Sequence, residues 1–375
     1  MKTSPNSPID TQHFKKILII ATRQIGDTLI TTPLIKRTHE IWPDAQIDFL
    51  GFKSAIGILE GNPHLHEIIG SSPKPKIKEY LHLLKKVFFK YDLAIITQPS
   101  DRSYLYGLFA ATKRVGVMHV GQEDHGWKKW ITQYQVPINY FEQHVVTEKL
   151  RLVDPFTKGK QITQEIVIDA PSKVSPSLVA NEIAPNSVLI HPSPLNAYKK
   201  WPLSHWLSVI EFLSDQHIPV LISGGAAKVD VDLAQEIIKG LSQKAKDQLI
   251  NLTGKVSFSE LATLLRQVRA YVGVDTSVTH LAAACNTPTV ALLGATPPTN
   301  FGPWPNGFSG KQPYQIRALS QTVSNVTILQ GPNACVPCRK AGCDDHANSR
   351  SLCLEELDST RVIQALQKIL QLNIN

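Results

Sequence analysis

Residues 16–28 read Lys16-Ile-Leu-Ile-Ile-Ala21-Thr-Arg-Gln-Ile-Gly26-Asp27-Thr28, and this stretch decides the fold class. Ile17 to Ala21 form an unbroken apolar run about one strand long. It shows no polar alternation, so both faces of that strand are predicted to be buried. A short polar loop follows, and a helical pattern begins at Asp27. A doubly buried strand feeding a helix is the opening of a parallel sheet covered by helices on both sides.

The same layout continues outward. Apolar strands are expected at Ile47–Leu50 and Leu93–Ile96, with a shorter one around Arg114–Val117 and helices between them. The Pro/Ser-rich stretch from Pro171 to Pro185 reads as a linker, after which the pattern restarts. Strands are expected at Val188–His191, Pro219–Ser223, Leu249–Leu252, Ala270–Val274 and Thr289–Leu293. An amphipathic helix, about Ser359–Leu372, ends the chain. With 375 residues the chain exceeds one ordinary core. Two doubly wound α/β units in tandem are predicted, with ligands bound in a cleft between the carboxyl ends of their sheets. The expected division is a disordered tail at 1–14, an acceptor-side domain at 15–175 and a nucleotide-sugar-binding domain at 176–355. Residues 356–375 form a helix expected to pack back toward the N-terminal domain.

The net charge of +8 suggests an anionic partner, whether nucleic acid, a membrane surface or a phosphorylated substrate; general solubility is the plain alternative. Met1 to Phe14 lack the apolar core of a signal peptide, and no apolar run approaches the length of a membrane span. A cytoplasmic protein is expected, with any membrane contact peripheral and on the inner face. Lys74 to Lys90 is the most basic stretch, and Ile77, Leu81, Leu84 and Phe88 recur along it at helical spacing. Two readings stay open: an apolar stripe turned into the core, the commoner arrangement, or a basic amphipathic helix resting on an anionic leaflet. Nucleic acid is not expected, because no interleaving of aromatic and basic residues marks an RNA-binding sheet.

Four of the five cysteines are crowded into Cys335, Cys338, Cys343 and Cys353, which in a reducing compartment favours a metal over disulfides. The set suits a tetrahedral structural zinc; an iron–sulfur cluster, disulfides and free thiols are the alternatives. Cys285 stands apart and reads as a core residue.

Three motifs carry the chemistry. Gly26 can take a tight strand-to-helix turn, and Asp27 in the first helical turn is either a helix cap or a carboxylate base. In the loop after Val188–His191, Ser193 could donate to a phosphate and Lys199 could neutralise a departing diphosphate; solvated loop charge is the plain alternative for Lys199. Gly224 and Gly225 permit close approach of a nucleotide, although two glycines after a strand are weak evidence. Asp275-Thr276-Ser277 ends a buried strand where a helix begins, a place that binds phosphate, with His280 about one turn in. The plain alternatives are capping for Asp275 and Ser277 and a satisfied core histidine for His280.

Gly26-Asp27, Lys199-x-Trp-Pro202, Gly273-Val-Asp-Thr-Ser-x-x-His280 and Pro288-Thr-Val-Ala-Leu-Leu-Gly294 together resemble glycosyltransferase family 9, the lipopolysaccharide heptosyltransferases. The motifs stand in family order over most of the chain. The cysteine-bearing tail and Pro303-Trp-Pro305 look most like the heptosyltransferase III branch. The resemblance implies a GT-B fold of two Rossmann-like domains facing across a cleft. It also implies an inverting transfer, without a catalytic metal or cofactor, from ADP-L-glycero-D-manno-heptose to the lipid A–core oligosaccharide. By analogy Asp27 is the base and Lys199 stabilises the diphosphate. Asp275, Thr276 and His280 shape the donor site, and Ser193 matches a hydroxyl position in the same loop. Ala227 and Lys228 replace a glutamate that some members carry in the glycine turn, and Ser277 replaces a glycine. Both departures bear on donor identity. Another donor, a protein or other glycan acceptor, and a non-catalytic sugar-nucleotide or nucleic-acid binding protein are the competing readings.

Overall fold

The computed structural model describes residues 13–119, 126–139, 142–172 and 184–372. The chain divides between Ile166 and Val167 into two compact units, ahead of the expected 175/176 boundary. Residues 1–12 of the expected tail and most of the Pro/Ser linker lie outside the described residues, whereas Phe14, at the end of that tail, is buried against Trp42 and Phe156 and belongs to unit 1.

Unit 1 runs β1 (Lys16–Ala21), α1 (Ile25–Leu29), α2 (Thr32–Ile41), β2 (Gln46–Phe52), β3 (Glu67–Ser71), α3 (Ile77–Val87) and β4 (Tyr91–Ile96). It continues with α4 (Asp101–Ala110), β5 (Ala111–His119), α5 (Lys128–Ile131), β6 (Tyr134–Ile138) and α6 (Val145–Leu150). The sheet order is β3-β2-β1-β4-β5-β6 with every pairing parallel. β1 is central because it is apolar on both faces; Ile17 pairs with Ile47 on one side and Leu93 on the other. The order reverses direction between β1 and β4, so the crevice at their carboxyl ends is the ligand position of this topology.

Unit 2 contains β7 (Val188–His191), α7 (Leu203–Asp215), β8 (Val220–Ile222), α8 (Lys228–Gly240), α9 (Gln243–Asp247), β9 (Leu249–Asn251), α10 (Phe258–Leu265) and β10 (Ala270–Val274). It then runs α11 (Ser277–Ala284), β11 (Thr289–Leu293), α12 (Pro298–Phe301), β12 (Ser320–Val323), β13 (Val326–Gln330), α13 (Leu352–Glu355) and α14 (Ser359–Leu370). Its order, β12-β13-β11-β10-β7-β8-β9, repeats the doubly wound plan with one antiparallel edge strand, β12. Here the reversal lies between β7 and β10, whose ends are level because His191 pairs with Gly273.

Gly273 is demanded by packing inside β10. A Cβ there would stand 2.0 Å from the Tyr271 hydroxyl, which reaches across to Thr279 on α11 at 2.9 Å. That contact anchors the first turns of α11 to the strand beneath it.

α14 spends its apolar face, Val362, Leu366 and Leu370, in the core of unit 2 with Val272, Val290 and Leu354. The expected stripe of α3 is split: Ile77 is 79% exposed, Leu81 58% and Phe88, just past the helix, 56%, whereas Leu84 packs against the core. Leu83 and Val87 make the buried side instead.

Candidate active site

The groups singled out by sequence fall at the two reversal points, one in each unit. In unit 1, Gly26 is the second residue of α1 and lies inside the helix, so the expectation of a special turn conformation there is corrected. Asp27 is half-buried in the first turn of α1. It is not the cap; Gln24 holds that position and makes no side-chain capping bond. Among the described residues no hydrogen bond ends on the Asp27 carboxylate, which leaves it available to a ligand.

Beneath it lies a residue that sequence reading missed. Lys149 of α6 is buried, and its ammonium donates to the Asp27 carbonyl at 2.7 Å and to the Thr31 hydroxyl at 2.6 Å. Thr31 in turn donates to the same carbonyl at 2.6 Å. Burial pushes the Lys149 pKa from 10.5 down to about 8, with Asp27 opposing the shift and Arg23 assisting it. Nothing in the sequence around Lys149 announces this, because 122 residues separate it from Asp27.

The folded protein therefore releases the Lys149 proton earlier than the unfolded chain does. Its charge costs about 3 kcal/mol below pH ~8, and the cost is relieved as pH rises from about 8 to about 10.5. Lys149→Met removes that cost while Thr31 still satisfies the Asp27 carbonyl. Thermal unfolding at pH 7 should place this variant at or above the parent protein, and the gap should close as pH approaches 10.

In unit 2, Ser193 follows β7 and is buried; a Cβ on Gly224 would lie 3.3 Å from its hydroxyl and 2.9 Å from Thr253. Ser193, Gly224 and Thr253 thus gather where β7, β8 and β9 end. Gly225 has a different task, because the Asp230 carboxylate sits 2.5 Å from where its Cβ would be. Asp230 accepts from the Gly225 amide, which offsets part of the rise that burial causes in its pKa. The second glycine therefore serves a turn. His191 is buried with Nδ1 3.0 Å from the Ser223 hydroxyl, and burial holds its pKa down at about 4, so it is neutral.

The strongest constellation joins β7 to β10. Lys199 Nζ lies 2.7 Å from Asp275 Oδ2, and the Thr296 hydroxyl donates to the same oxygen at 2.6 Å. Burial alone would raise the Asp275 pKa. Lys199, through charge and hydrogen bond, then Thr296 and His280, outweigh that and hold it below the ordinary carboxylate value. Lys199 is thus no solvated loop charge, and Asp275 is no cap. The cap of α11 is Thr276, which makes no side-chain capping bond; its hydroxyl lies 3.3 Å from that of Thr279. Ser277 begins the helix, and His280 is buried one turn in. A lysine cation and the amino end of a helix in one place supply the positive potential that an anionic leaving group requires, and the Asp275 carboxylate fixes where that cation sits. Thr296, after β11, was not foreseen; it belongs to the segment that follows Gly294.

The cysteine cluster lies between β13 and α14. Cys353 is buried, Cys338 half-buried, and Cys335 and Cys343 exposed, all as free thiols. Burial pushes the Cys353 thiol up to about 11, and the nearby Cys338, Cys335 and Cys343 add to that rise, so the four thiols are neighbours. Among the described residues, no three His, Cys, Asp or Glu side chains lie in an arrangement that would hold a metal as they stand. The donor chemistry suits a thiophilic ion; the side-chain positions are not those of a closed ligand set.

The sequence model of glycosyltransferase family 9 (heptosyltransferase) matches residues 81–339. The chain belongs to this family. Lipopolysaccharide heptosyltransferase 3 of Escherichia coli K12 is 31% identical over 293 residues, covering 75% of this chain and 83% of that protein. Among solved structures, E. coli ADP-heptose lps heptosyltransferase II aligns with a TM-score of 0.71 and 21% identity, over 95% of this chain and 98% of that one. The dodecameric iron-containing heptosyltransferase TibC, in complex with ADP-D-β-D-heptose, aligns with a TM-score of 0.54 and 15% identity. It covers 96% of this chain and 77% of the TibC chain. These likenesses agree with the two doubly wound units, the GT-B plan of the family. This family 9 glycosyltransferase is therefore an enzyme.

Proposed function

We propose that this family 9 glycosyltransferase transfers heptose from ADP-L-glycero-D-manno-heptose to the inner core of lipopolysaccharide, with inversion at the anomeric carbon. Asp27 accepts the proton of the acceptor hydroxyl, and that oxygen forms a bond to the anomeric carbon on the face opposite the diphosphate. The bond from that carbon to the diphosphate oxygen breaks, and its electron pair leaves on ADP. Lys199 and the amides at the start of α11 take up the developing negative charge, so no metal is assigned to the transfer step. Asp275 keeps Lys199 ionised and oriented, while Ser193 and Gly224 approach the nucleotide side of the donor.

The observation that carries this reading is the Lys199–Asp275–Thr296 cluster beside the start of α11. Its support comes from the 31% identity to a lipopolysaccharide heptosyltransferase and from neighbours whose names specify ADP-heptose. The four neighbouring thiols support a second element of the proposal: a structural metal, zinc by donor chemistry, clipping the segment before α14. The iron-containing TibC makes iron the alternative metal.

One preparation tests both parts. Protein purified without chelator is analysed for metal and then incubated with ADP-heptose and a series of truncated core lipopolysaccharides, read by mass. About one zinc per chain and a one-heptose gain on one truncation are expected. Transfer only from another sugar nucleotide, or only to a protein, would displace the donor or acceptor assignment; a metal-free protein would remove the clip.

A further inference from the structure

The outer face of α3 has no job in the transfer chemistry, yet its composition is that of a binding surface. Ile77, Leu81 and Phe88 recur at helical spacing and are each exposed by more than half, while Leu84 between them packs against the core. Such a row, held in water by a helix whose other side is already packed, marks a contact surface. Lys74, Lys78 and Lys85 are exposed and flank the row, and Lys76 and Lys90 extend the charge at either end. The acids nearby are already engaged: Glu79 accepts from the Lys76 amide, and Glu67 pairs with Lys86. Phe89 continues the apolar row beyond the helix at 54% exposure. α3 and α5 both pack on α4, and α5 carries Trp130, 82% exposed, beside Lys128 and Lys129.

We infer that this face of unit 1 docks on an anionic bilayer, its apolar row entering the headgroup–acyl boundary and its lysines lying against acidic lipid. Apolar side chains alone would fit many partners, and lysines alone would fit any polyanion. A row of aliphatic and aromatic side chains bordered by lysines matches a surface that is apolar in depth and negative on top. Topology adds a reason for the location. In a parallel sheet β1 and β3 end on the same rim, so α3 starts on the rim that carries Asp27 and runs away from it. A bilayer under α3 would bring a lipid-borne acceptor to that rim. The inference stands on exposure and charge and does not depend on Asp27 being the base.

Vesicle co-sedimentation of the full-length protein tests it, comparing phosphatidylcholine alone with mixtures containing phosphatidylglycerol at two salt concentrations. Binding is expected only with the anionic lipid and is expected to weaken as salt rises. Lys78→Gln with Lys85→Gln should reduce affinity about thirtyfold at low salt. Ile77→Asn with Leu81→Asn should reduce it at least about tenfold while leaving the salt dependence in place. All four positions are exposed, so unchanged thermal unfolding is expected and is measured in parallel. Equal binding to neutral vesicles, no loss in the asparagine variant, or tighter binding to a single-stranded RNA oligomer than to anionic vesicles would overturn the proposal.

Discussion

Asp27→Asn should lower the transfer rate by about 10²–10⁴-fold while leaving ADP-heptose binding unchanged. The substitution preserves volume and the first turn of α1. It also preserves the backbone carbonyl that receives Lys149 and Thr31, because that oxygen is not part of the side chain. What disappears is the ability to take a proton. Acceptor oxygen would have to attack as the neutral hydroxyl, and the loss should appear in kcat with little change in the KM for donor. Single-turnover transfer and calorimetric titration of donor measure the two quantities separately. Transfer by Asp27→Asn within threefold of the parent rate would remove Asp27 as the base. Lys149→Met serves as the companion variant: it keeps the carboxylate and removes the buried cation beneath it.

Lys199→Met should cost about 10²–10³-fold in kcat, and the reason differs from that at Asp27. Here the charge on the departing diphosphate loses its cation, and Asp275 loses the partner that holds it ionised. Lys199→Arg keeps both charges at some cost in geometry and should recover part of the rate. The ion pair also has a stability signature. Because the folded-state pKa of Asp275 is depressed, its contribution is present above the ordinary carboxylate value of 3.8 and is lost as pH falls below it. Acid unfolding of Lys199→Met should therefore show a shallower loss of stability on the acid side than the parent protein. Equal kcat for Lys199→Met and the parent would withdraw Lys199 from leaving-group stabilisation, whatever the stability result.

Much of this was readable before any fold was known. Ile17–Ala21 and Ala270–Val274 are apolar at every position, and only burial on both faces accommodates such runs, so parallel sheets followed directly. The strands that escaped notice were β3, β6, β12 and β13. β3 and β6 have partly exposed residues and ambiguous patterns, and β12 is an exposed antiparallel edge. The composition of α3 was legible as basic and amphipathic, but which side it would bury was not. Ile77, Leu81, Leu84 and Phe88 form the more regular stripe, yet the core takes Leu83 and Val87 and, of the stripe, only Leu84.

The sequence by itself determined the two doubly wound units, the family, and the positions of Asp27, Lys199 and Asp275, because strand-end motifs are local in the chain. Tertiary structure decided which candidates act together. Asp275 and Lys199 are 76 residues apart in sequence and become an ion pair only because β7 and β10 are sheet neighbours. Lys149 reaches Asp27, and Thr296 reaches Asp275, through packing that no local pattern encodes. Charge and apolarity are properties of residues, but partnership is a property of distance, and distance is set by the order of strands in a sheet.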